Sequence, residues 1–380
     1  MDSSSDPYAD WNSLAGYYEV GMDLPLSGSI VWDYAPGERI TSAALSAEGT
    51  YMVAGTDRPG KIFLLDGADG GMKWTKEIGV PVSGVSISPD ATYVAAAANR
   101  LYLFYPHGGE VWSKDTGYFA RSVALSSRAD LIAAGFDDSS LQVFNRDGDL
   151  QWMYQSDGNV ISTAITDDGS YIAAGSDDHH LYLFDGTGDL LWSFPTGNSV
   201  RSVTISPNGE YIAAGSGDRV VYFFNTKGDL LWKFNAENRI NAVSLSYDGA
   251  FIAVGEGTAI HLFDRKGNET WKFDTADLGE EMTATSYGTV MGPDVTAVSL
   301  SRQGALTLVA GTGTGDQRVY CFTLRADPEN VSSMQIEESR SLTDIQQEYL
   351  HTTGEDQDIQ TYAFISSITK QTPEADSPRV

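Results

Sequence analysis

Tryptophan recurs along this chain at an almost constant interval, and no other feature restricts the possible folds as strongly. Apart from Trp11, the tryptophans are Trp32, Trp74, Trp112, Trp152, Trp192, Trp232 and Trp271. Consecutive members of this series lie 42, 38, 40, 40, 40 and 39 residues apart. A fixed period of about 20 to 50 residues is typical of repeat architectures, in which each copy builds one structural unit.

Each repeat contains four short segments with the pattern of β-strands. In the copy that ends at Trp232, these are residues 203–206, 211–215, 220–224 and the segment that carries the tryptophan. Turn residues such as Pro, Asn, Asp and Gly separate them. Four strands of period two with polar turns, repeated about every forty residues, predict one blade of a β-propeller.

A glycine precedes each tryptophan of the series by four residues. These glycines are Gly28, Gly70, Gly108, Gly148, Gly188, Gly228 and Gly267. A tight hairpin needs a positive backbone φ, which glycine adopts without strain. We therefore expect a Gly-x-x-x-Trp turn at the start of each fourth strand, with the indole filling the gap between neighbouring blades.

The first-strand pattern occurs seven times. The copies begin at Ala43, Val85, Val123, Thr163, Val203, Val243 and Val298. The seventh copy has no tryptophan strand after it, whereas a spare one stands near the N-terminus around Trp32. We predict an all-β, seven-bladed β-propeller of four-stranded antiparallel blades, closed by an N-terminal strand that completes the last blade. The predicted domains are an N-terminal extension (1–26), the propeller (27–325) and an acidic C-terminal tail (326–380).

The two halves of the repeat resemble two known repeat families. Residues 206–218, Ser-Pro-Asn-Gly-Glu-Tyr-Ile-Ala-Ala-Gly-Ser-Gly-Asp, are similar to WD-type repeats. Residues 183–192, Leu-Phe-Asp-Gly-Thr-Gly-Asp-Leu-Leu-Trp, resemble the tryptophan-docking repeat of pyrroloquinoline-quinone-like propellers. Propellers of this mixed type resemble uncharacterised cell-envelope proteins of archaea and bacteria. The resemblance therefore implies an extracytoplasmic location at the envelope or surface, with a cytoplasmic location as the alternative.

The resemblance does not extend to the quinone-dependent enzymes of that family. Those enzymes hold their cofactor with calcium in an eight-bladed ring, usually beside a disulfide of adjacent cysteines. This chain has seven repeats, and its single cysteine, Cys321, stands in a strand-like apolar run. We expect no cofactor, and we interpret Cys321 as a buried structural residue.

Charge and hydropathy restrict the possible partners. The chain has 24 Lys and Arg against 52 Asp and Glu, a net charge of −28. Such a surface repels phosphate backbones and anionic lipid, so we expect no nucleic-acid partner. No apolar run reaches the length of about 20 residues that a transmembrane helix needs, so we predict no transmembrane segment in this chain.

The repeat is broken at one connection. Eleven residues separate each tryptophan from the next first-strand signal six times, but 27 residues separate Trp271 from Val298. The extra residues, about 278–293, are a candidate binding loop because long loops on rigid scaffolds often carry function. The alternative is a tolerated surface insertion. Its candidate binding residues are Glu280, Glu281, Met282, Tyr287 and Met291.

A second candidate site is the ring of residues two positions before each first-strand signal. The ring consists of Thr41, Ser83, Arg121, Ile161, Arg201, Asn241 and Thr296. We expect these residues to surround the mouth of the central channel. Arg121, Arg201 and Asn241 are the candidate binding residues, and the two arginines could hold a carboxylate or an acidic partner segment. The alternative is that each arginine pairs with neighbouring Asp and Glu.

Two clusters of polar residues resemble metal ligands in composition. Their position in the repeat argues against metal binding. Residues 177–180, Asp-Asp-His-His, and 145–149, Asn-Arg-Asp-Gly-Asp, both fall on turns of the repeat where Asp is common. Adjacent His side chains on a strand also point to opposite faces. We therefore predict no metal site, and no catalytic cluster can be assembled from the remaining histidines.

A fold with strong repeats and no catalytic motif favours a non-catalytic scaffold that binds a protein, peptide or other ligand. The first alternative is a hydrolase or lyase with its site in the central funnel, because Asp and Glu are abundant enough to supply acid and base. The second is a structural surface-layer or filament-associated module.

Overall fold

Seven four-stranded antiparallel sheets make up the part of the chain that the computed structural model describes, residues 26–278, 283–284, 290–291, 294–301, 307–313 and 317–326. The predicted seven-bladed β-propeller is therefore confirmed. The predicted extension and tail lie almost entirely outside the described residues, and their boundaries stay predictions. Among the residues that the structure describes, no helix has the length and apolarity to span a membrane.

In blades 1 to 6 the four strands follow chain order from the centre outwards. The innermost strands of blades 1 to 7 are Ile40–Leu45, Gly84–Ile87, Ala120–Leu125, Val160–Ile165, Val200–Ile205, Ile240–Leu245 and Val295–Leu300. The second strands are Tyr51–Thr56, Val94–Ala97, Leu131–Phe136, Tyr171–Ser176, Tyr211–Ser216, Phe251–Glu256 and Thr307–Thr312. The third strands are Lys61–Asp66, Leu101–Phe104, Ser140–Asn145, His180–Asp185, Val220–Asn225, Ala259–Asp264 and Val319–Ala326.

The outermost strands carry the repeated tryptophans. They are Met72–Glu77, Glu110–Lys114, Leu150–Gln155, Leu190–Pro195, Leu230–Asn235, Glu269–Asp274 and, in blade 7, Leu26–Tyr34. Two short 3₁₀ turns, Ser127–Ala129 and Thr275–Leu278, and a two-stranded ribbon, Thr283–Ala284 with Val290–Met291, complete the described elements.

The hydrophobic core lies between adjacent blades rather than within one layer. One cluster, for example, joins Val221 and Phe223 of blade 5 to Ile240, Ile252 and Phe263 of blade 6. Phe223 is fully buried, and burying a side chain of this size stabilises a fold by about 2 to 3 kcal/mol. Each sheet thus contributes both faces to the core, which explains the near-continuous burial of the second and third strands.

Each repeated tryptophan packs on the glycine that stands four residues before the tryptophan of the next blade. In six blades this glycine lies between the third and outermost strands and has a positive φ, whereas Gly28 lies within the strand Leu26–Tyr34, so the predicted turn is wrong there. The pairs are Trp32–Gly70, Trp74–Gly108, Trp112–Gly148, Trp152–Gly188, Trp192–Gly228, Trp232–Gly267 and Trp271–Gly28. A Cβ built on Gly188 would lie 2.8 Å from Cδ2 of Trp152, and Gly188 has a φ of +99°. Only glycine satisfies both the contact and the backbone conformation.

The seventh blade closes the ring with strands from the two ends of the described chain. Leu26–Tyr34 pairs antiparallel with Val319–Ala326, so that Gly28 lies opposite Leu324 and Tyr34 opposite Val319. The predicted closure by an N-terminal strand agrees with this sheet. The third strand of blade 7, Val319–Ala326, is thus paired on one side with Thr307–Thr312 and on the other with Leu26–Tyr34. Without Leu26–Tyr34 it would be an unpaired sheet edge, which favours aggregation.

Serine side chains also join neighbouring innermost strands. The oxygen Oγ of Ser42 accepts the backbone N–H of Val85 at 3.1 Å. In the same way Ser299 of blade 7 accepts the N–H of Leu45 of blade 1 at 3.1 Å. The ring is therefore closed at its inner wall as well as at its outer strands.

The cysteine lies in the third strand of blade 7. Cys321 is 2% exposed, and burial raises the pKa of its thiol to about 12. A thiol in that environment stays protonated and unreactive at neutral pH, in agreement with the structural interpretation of this residue.

Candidate binding site at the mouth of the central cavity

The innermost strands of all seven blades surround a central cavity of about 260 Å³. Serine, threonine and small apolar residues form most of its wall, and Arg121 and Arg201 are its charged members. No Asp, Glu, His, Lys, Tyr or Cys lines the cavity among the residues that the structure describes. The described wall thus offers hydrogen-bond donors and positive charge but no acid–base pair.

A β-bulge near the start of the innermost strand places the predicted ring. In six blades the register shifts by one residue, and the bulged residues are Thr41, Arg121, Ile161, Arg201, Asn241 and Thr296. Ser83 directly precedes the innermost strand of blade 2. Bulges re-aim side chains out of the regular alternation. All seven ring residues line the cavity, at the face where the innermost strands begin, called here the upper face.

Three ring residues hold the neighbouring blades together. Thr296 Oγ1 donates a hydrogen bond either to Ile40 O of blade 1 at 2.8 Å or to Gly311 O of its own blade at 3.1 Å. Asn241 Nδ2 donates to Val295 O at 3.0 Å, and Thr41 Oγ1 faces carbonyl oxygens in the same manner. The amide of the candidate residue Asn241 is therefore already engaged in inter-blade packing.

Arg121 and Arg201 are the charged ring residues, and their side chains form no such hydrogen bond with a backbone carbonyl of the described residues. Nη2 of Arg121 lies 3.9 Å from a carboxylate oxygen of Asp137, at the limit of an ion pair, and its guanidinium lies 5.5 Å from the ring centre of Phe119. Arg201 forms no side-chain hydrogen bond or ion pair with any described residue. Both guanidinium groups keep solvent contact and could form bidentate hydrogen bonds with a carboxylate.

Two further arginines, which the sequence analysis missed, flank the mouth. Arg39 and Arg239 each directly precede the innermost strand of their blade, two positions before a ring residue. Burial lowers the pKa of Arg201, and the positive charges of Arg239 and Arg39 lower it further, while Asp177 opposes them. Arg39, Arg121, Arg201 and Arg239 are called here the arginine rim.

One carboxylate lies among these charges. Half-buried Asp294 precedes the innermost strand of blade 7. Burial raises the pKa of Asp294, and the charges of Arg39 and Arg239 only partly oppose the rise. Asp294 thus tempers the positive potential of the rim on the side of blade 7.

Other carboxylates of the upper face are held by their own turns. Two oxygens of Asp218 accept the N–H of Val220, the hydroxyl of Tyr222 and the N–H of Gly197. Burial and the hydrogen bond from its hydroxyl to Asp218 raise the pKa of Tyr222 to about 12. Asp178 is bound in the same way by Tyr182. These acidic residues surround the rim without forming close ion pairs with Arg201.

The two clusters considered for metal binding are turns of the repeat. His179 has a φ of +73°, close to the +71° of Ser139 and Arg219 at the same turn position in blades 3 and 5. Asn145 Oδ1 accepts the N–H of Asp149 at 2.8 Å, which closes the turn before the outermost strand. Both clusters therefore have a structural explanation in the repeat.

The candidate residues of the insertion lie outside the described residues. Glu280, Glu281, Met282 and Tyr287 have no described position, and of Met291 only the backbone is described, in the short ribbon. In the sequence the insertion stands between the outermost strand of blade 6, Glu269–Asp274, and the innermost strand of blade 7, Val295–Leu300. Its predicted role as a binding loop stays a prediction.

A buried ionisable cluster in blade 6 was not predicted. His261 is 2% exposed, with Nε2 3.1 Å from a Glu256 oxygen and Nδ1 3.3 Å from a Glu269 oxygen. Burial by itself would raise the pKa of Glu256, but hydrogen bonds from His261 and from the N–H of Asn238 lower it below the usual value. The cluster does not line the central cavity.

Comparison with known proteins agrees with the resemblance seen in the repeats. Residues 20–171 match a pyrroloquinoline-quinone-like repeat model described as outer membrane protein assembly factor BamB. Residues 130–247 match the model of the lambda-carrageenase β-propeller domain. A search of curated proteins found no match. The predicted resemblance to pyrroloquinoline-quinone-like propellers is confirmed over the first of these segments.

Proposed function

We propose that this seven-bladed β-propeller, with its pyrroloquinoline-quinone-like repeats, is a non-catalytic scaffold that binds a protein or peptide partner at its upper face. The observation that carries the proposal is the composition of the central site. Its described wall combines arginines and hydroxyl groups and has no acid–base pair. Such a surface recognises a ligand by charge and hydrogen bonds and supplies no group that transfers a proton at neutral pH.

The rigidity of the ring supports a scaffold function. Strand pairing closes blade 7 on its outer side, and Ser299 and Thr296 tie it to blade 1 on its inner side. Because the propeller is closed, the seven residues at the cavity mouth and the turns of the upper face keep fixed relative positions. A preorganised surface of this kind loses little conformational entropy when it binds a partner.

The location that we propose is the cell envelope or surface. The support is the match of residues 20–171 to a model whose description concerns outer membrane protein assembly. An acidic surface of net charge −28 also favours solubility without attraction to anionic lipid. An envelope scaffold of this type would bind its partner through the propeller and need no membrane insertion of the described residues.

A carbohydrate-active function is the second candidate, and one observation favours it. Residues 130–247, in blades 3 to 6, match the propeller domain of lambda-carrageenase. Glycoside hydrolysis uses two carboxyl groups about 5 to 10 Å apart across the bond that is cleaved. The described cavity wall has no such pair, so we place this function second.

Selection of random peptides on the full chain, together with an assay for cleavage of anionic polysaccharides, tests the proposal. We expect peptides that compete with one another and no cleavage. In Ile161→Trp a large ring would obstruct the cavity mouth, so the selected peptides should lose binding. Leu191→Trp, at an exposed position on the outermost strand of the same blade, is the matched control and should bind normally.

Two results contradict the proposal. Turnover of a polysaccharide would show that the protein is an enzyme. Peptides that bind Ile161→Trp as tightly as the unmodified chain would show that the central mouth is not the binding surface.

A further inference from the structure

We propose that the arginine rim binds the carboxylates of an acidic peptide segment in a partner protein. The inference rests on the proposed scaffold function and adds the chemistry of the ligand. Arg39, Arg121, Arg201 and Arg239 belong to blades 1, 3, 5 and 6. A segment that enters the mouth would therefore meet guanidinium groups from several sides.

The arginines of the rim are gathered at one face of the propeller without a close ion-pair partner among the described residues. The whole chain has 52 Asp and Glu against 24 Lys and Arg. Elsewhere Lys61 pairs with Glu38, and Arg146 pairs with Asp130.

Arg39, Arg201 and Arg239 form no ion pair with any residue that the structure describes, and Arg121 has only the 3.9 Å contact. Like charges brought together repel one another, and Asp294 is the carboxylate that tempers this repulsion at Arg39 and Arg239. A bound anion would remove that repulsion.

Two hydroxyl groups of the cavity wall provide an independent observation. Ser122, next to Arg121, is 9% exposed, and its Oγ is buried without a hydrogen-bond partner among the described residues. Oγ1 of Thr163 in the adjacent blade is in the same situation. Both residues line the cavity. Buried hydroxyls without a partner are uncommon in native proteins, and both could donate to a carboxylate after rotation of the side chain.

The size of the cavity favours side chains over a whole small molecule. Its volume of about 260 Å³ lies below the range of about 300 to 1,000 Å³ that is usual for drug-sized ligands and cofactors. Glutamate and aspartate side chains are small enough to enter, and the planar guanidinium matches a carboxylate in a bidentate arrangement.

The surrounding charges specify what should flank the carboxylates. Asp137, Asp177 and Asp218 lie on the turns between second and third strands, at the same upper face but farther from the centre. They would repel a long uniform polyanion, because charges within about 8 Å interact at physiological ionic strength. The ligand that fits is a segment with acidic residues at its centre and basic residues on its flanks.

The test is a fluorescence-anisotropy titration of the full chain with two labelled peptides. One has glutamates in its centre and lysines on its flanks, and the other has glutamines in place of the glutamates. We expect the glutamine peptide to bind at least about tenfold more weakly. Arg201→Ala should weaken binding of the glutamate peptide about tenfold, and high salt should weaken it further.

Lys227→Ala is the matched control for charge. Lys227 is exposed in the turn between the third and outermost strands of blade 5. Like Arg201→Ala, the variant Lys227→Ala removes one positive charge from blade 5, but at the opposite face of the propeller. We expect unchanged affinity for this variant. Unchanged melting temperatures would show that both variants fold.

Three outcomes overturn the inference. The first is equal binding of the two peptides, and the second is full affinity in Arg201→Ala. The third is tighter binding of free glutarate than of the peptide, which would indicate a small-dicarboxylate site. If randomly selected peptides depend on Ile161 but carry no acidic residues, the scaffold function stands and this inference alone fails.

Discussion

The indole Nε1 of Trp32, in the outermost strand of blade 7, donates a hydrogen bond of 2.8 Å to the carbonyl oxygen of Gly67 in blade 1. Equivalent bonds of 2.8 to 3.1 Å join the outermost strands of blades 1 to 5 to the next blade. The tryptophan repeat is therefore both a packing element and a hydrogen-bond donor between blades. At Trp32 it contributes directly to closure of the ring.

Replacing Trp32 with Phe should lower the free energy of unfolding by about 1 to 2 kcal/mol. The substitution retains most of the apolar contact but leaves the carbonyl of Gly67 without its donor. Urea unfolding followed by tyrosine fluorescence or circular dichroism measures the change. Val31→Ala, at an exposed position of the same strand, should stay within about 0.5 kcal/mol of the unmodified chain. Equal stability of Trp32→Phe and the unmodified chain would contradict the closure role.

Gly188→Ala should destabilise the propeller more than Gly37→Ala. Both glycines have positive φ, +99° and +75°, so both variants acquire backbone strain of about 1 kcal/mol. A Cβ at Gly188 also meets the indole of Trp152 at 2.8 Å, whereas a Cβ at Gly37 has no atom within 4 Å. The difference between the two unfolding free energies isolates the tryptophan contact. Identical losses would show that the contact relaxes freely.

Glu256→Gln should destabilise the protein at neutral pH, and the deficit should shrink in acid. The folded pKa of Glu256 is lower than its unfolded value of about 4.5. Between these two values the unfolded state binds more protons, so stability rises with pH over that window and is lost as pH falls through the folded pKa.

Urea midpoints measured from neutral pH to below pH 4 check the Glu256 prediction, with a neutral-pH loss of about 1 to 3 kcal/mol expected. Glu48→Gln, in an exposed turn of blade 1, serves as the control and should show little change. A deficit of Glu256→Gln that stays constant across the pH range would refute the electrostatic explanation.

Asp294→Asn should stabilise the protein at neutral pH and tighten binding of an acidic peptide. Burial holds the pKa of Asp294 above its usual value, so the folded state binds more protons than the unfolded state and stability falls as pH rises through that window. Asparagine does not ionise, so Asp294→Asn avoids this loss of stability. The extra stability of the variant over the unmodified chain should vanish below about pH 3.8, where Asp294 is protonated in both the folded and unfolded states. Removing the carboxylate beside Arg39 and Arg239 also raises the positive potential of the rim. Thermal melts at several pH values and the anisotropy titration measure both effects.

The fold could be predicted because its determinants recur. Trp152, Gly188 and their equivalents make the same contact in every blade, so one pattern in the sequence reports on seven interfaces. The ring positions of Arg121 and Arg201 follow from the same register. Once the number of blades is known, the repeat register is enough to predict that Arg121 and Arg201 line the same central cavity.

Arg39 and Arg239 could not be predicted because the repeat does not define their position. The equivalent residues in the other blades are Pro81, Phe119, Asn159, Ser199 and Asp294. No periodic signal exists there, and Arg39 and Arg239 come close enough to Arg201 to affect it only once the ring is closed. The hidden hydroxyls of Ser122 and Thr163 depend in the same way on three-dimensional packing.

The cluster around His261 was missed because blade 6 departs from the repeat at two positions whose side chains contact each other. His261 stands where blades 4 and 5 have Tyr182 and Tyr222, and Glu256 stands where they have serine. Gly175 pairs with Leu181, whereas Gly255 pairs with Ile260, so the turn in blade 6 is one residue shorter. With the turn aspartate gone, the carboxylate of Glu256 takes over as the partner of the third-strand side chain.

The pairing of Leu26–Tyr34 with Val319–Ala326 also has a consequence for synthesis. The first of these strands leaves the ribosome before any blade is complete, and the second leaves after six blades have been made. Because a contact of such long sequence separation forms late, the early strand must wait unpaired throughout translation. Its exposed backbone is the segment that a chaperone would need to protect until the seventh sheet is assembled.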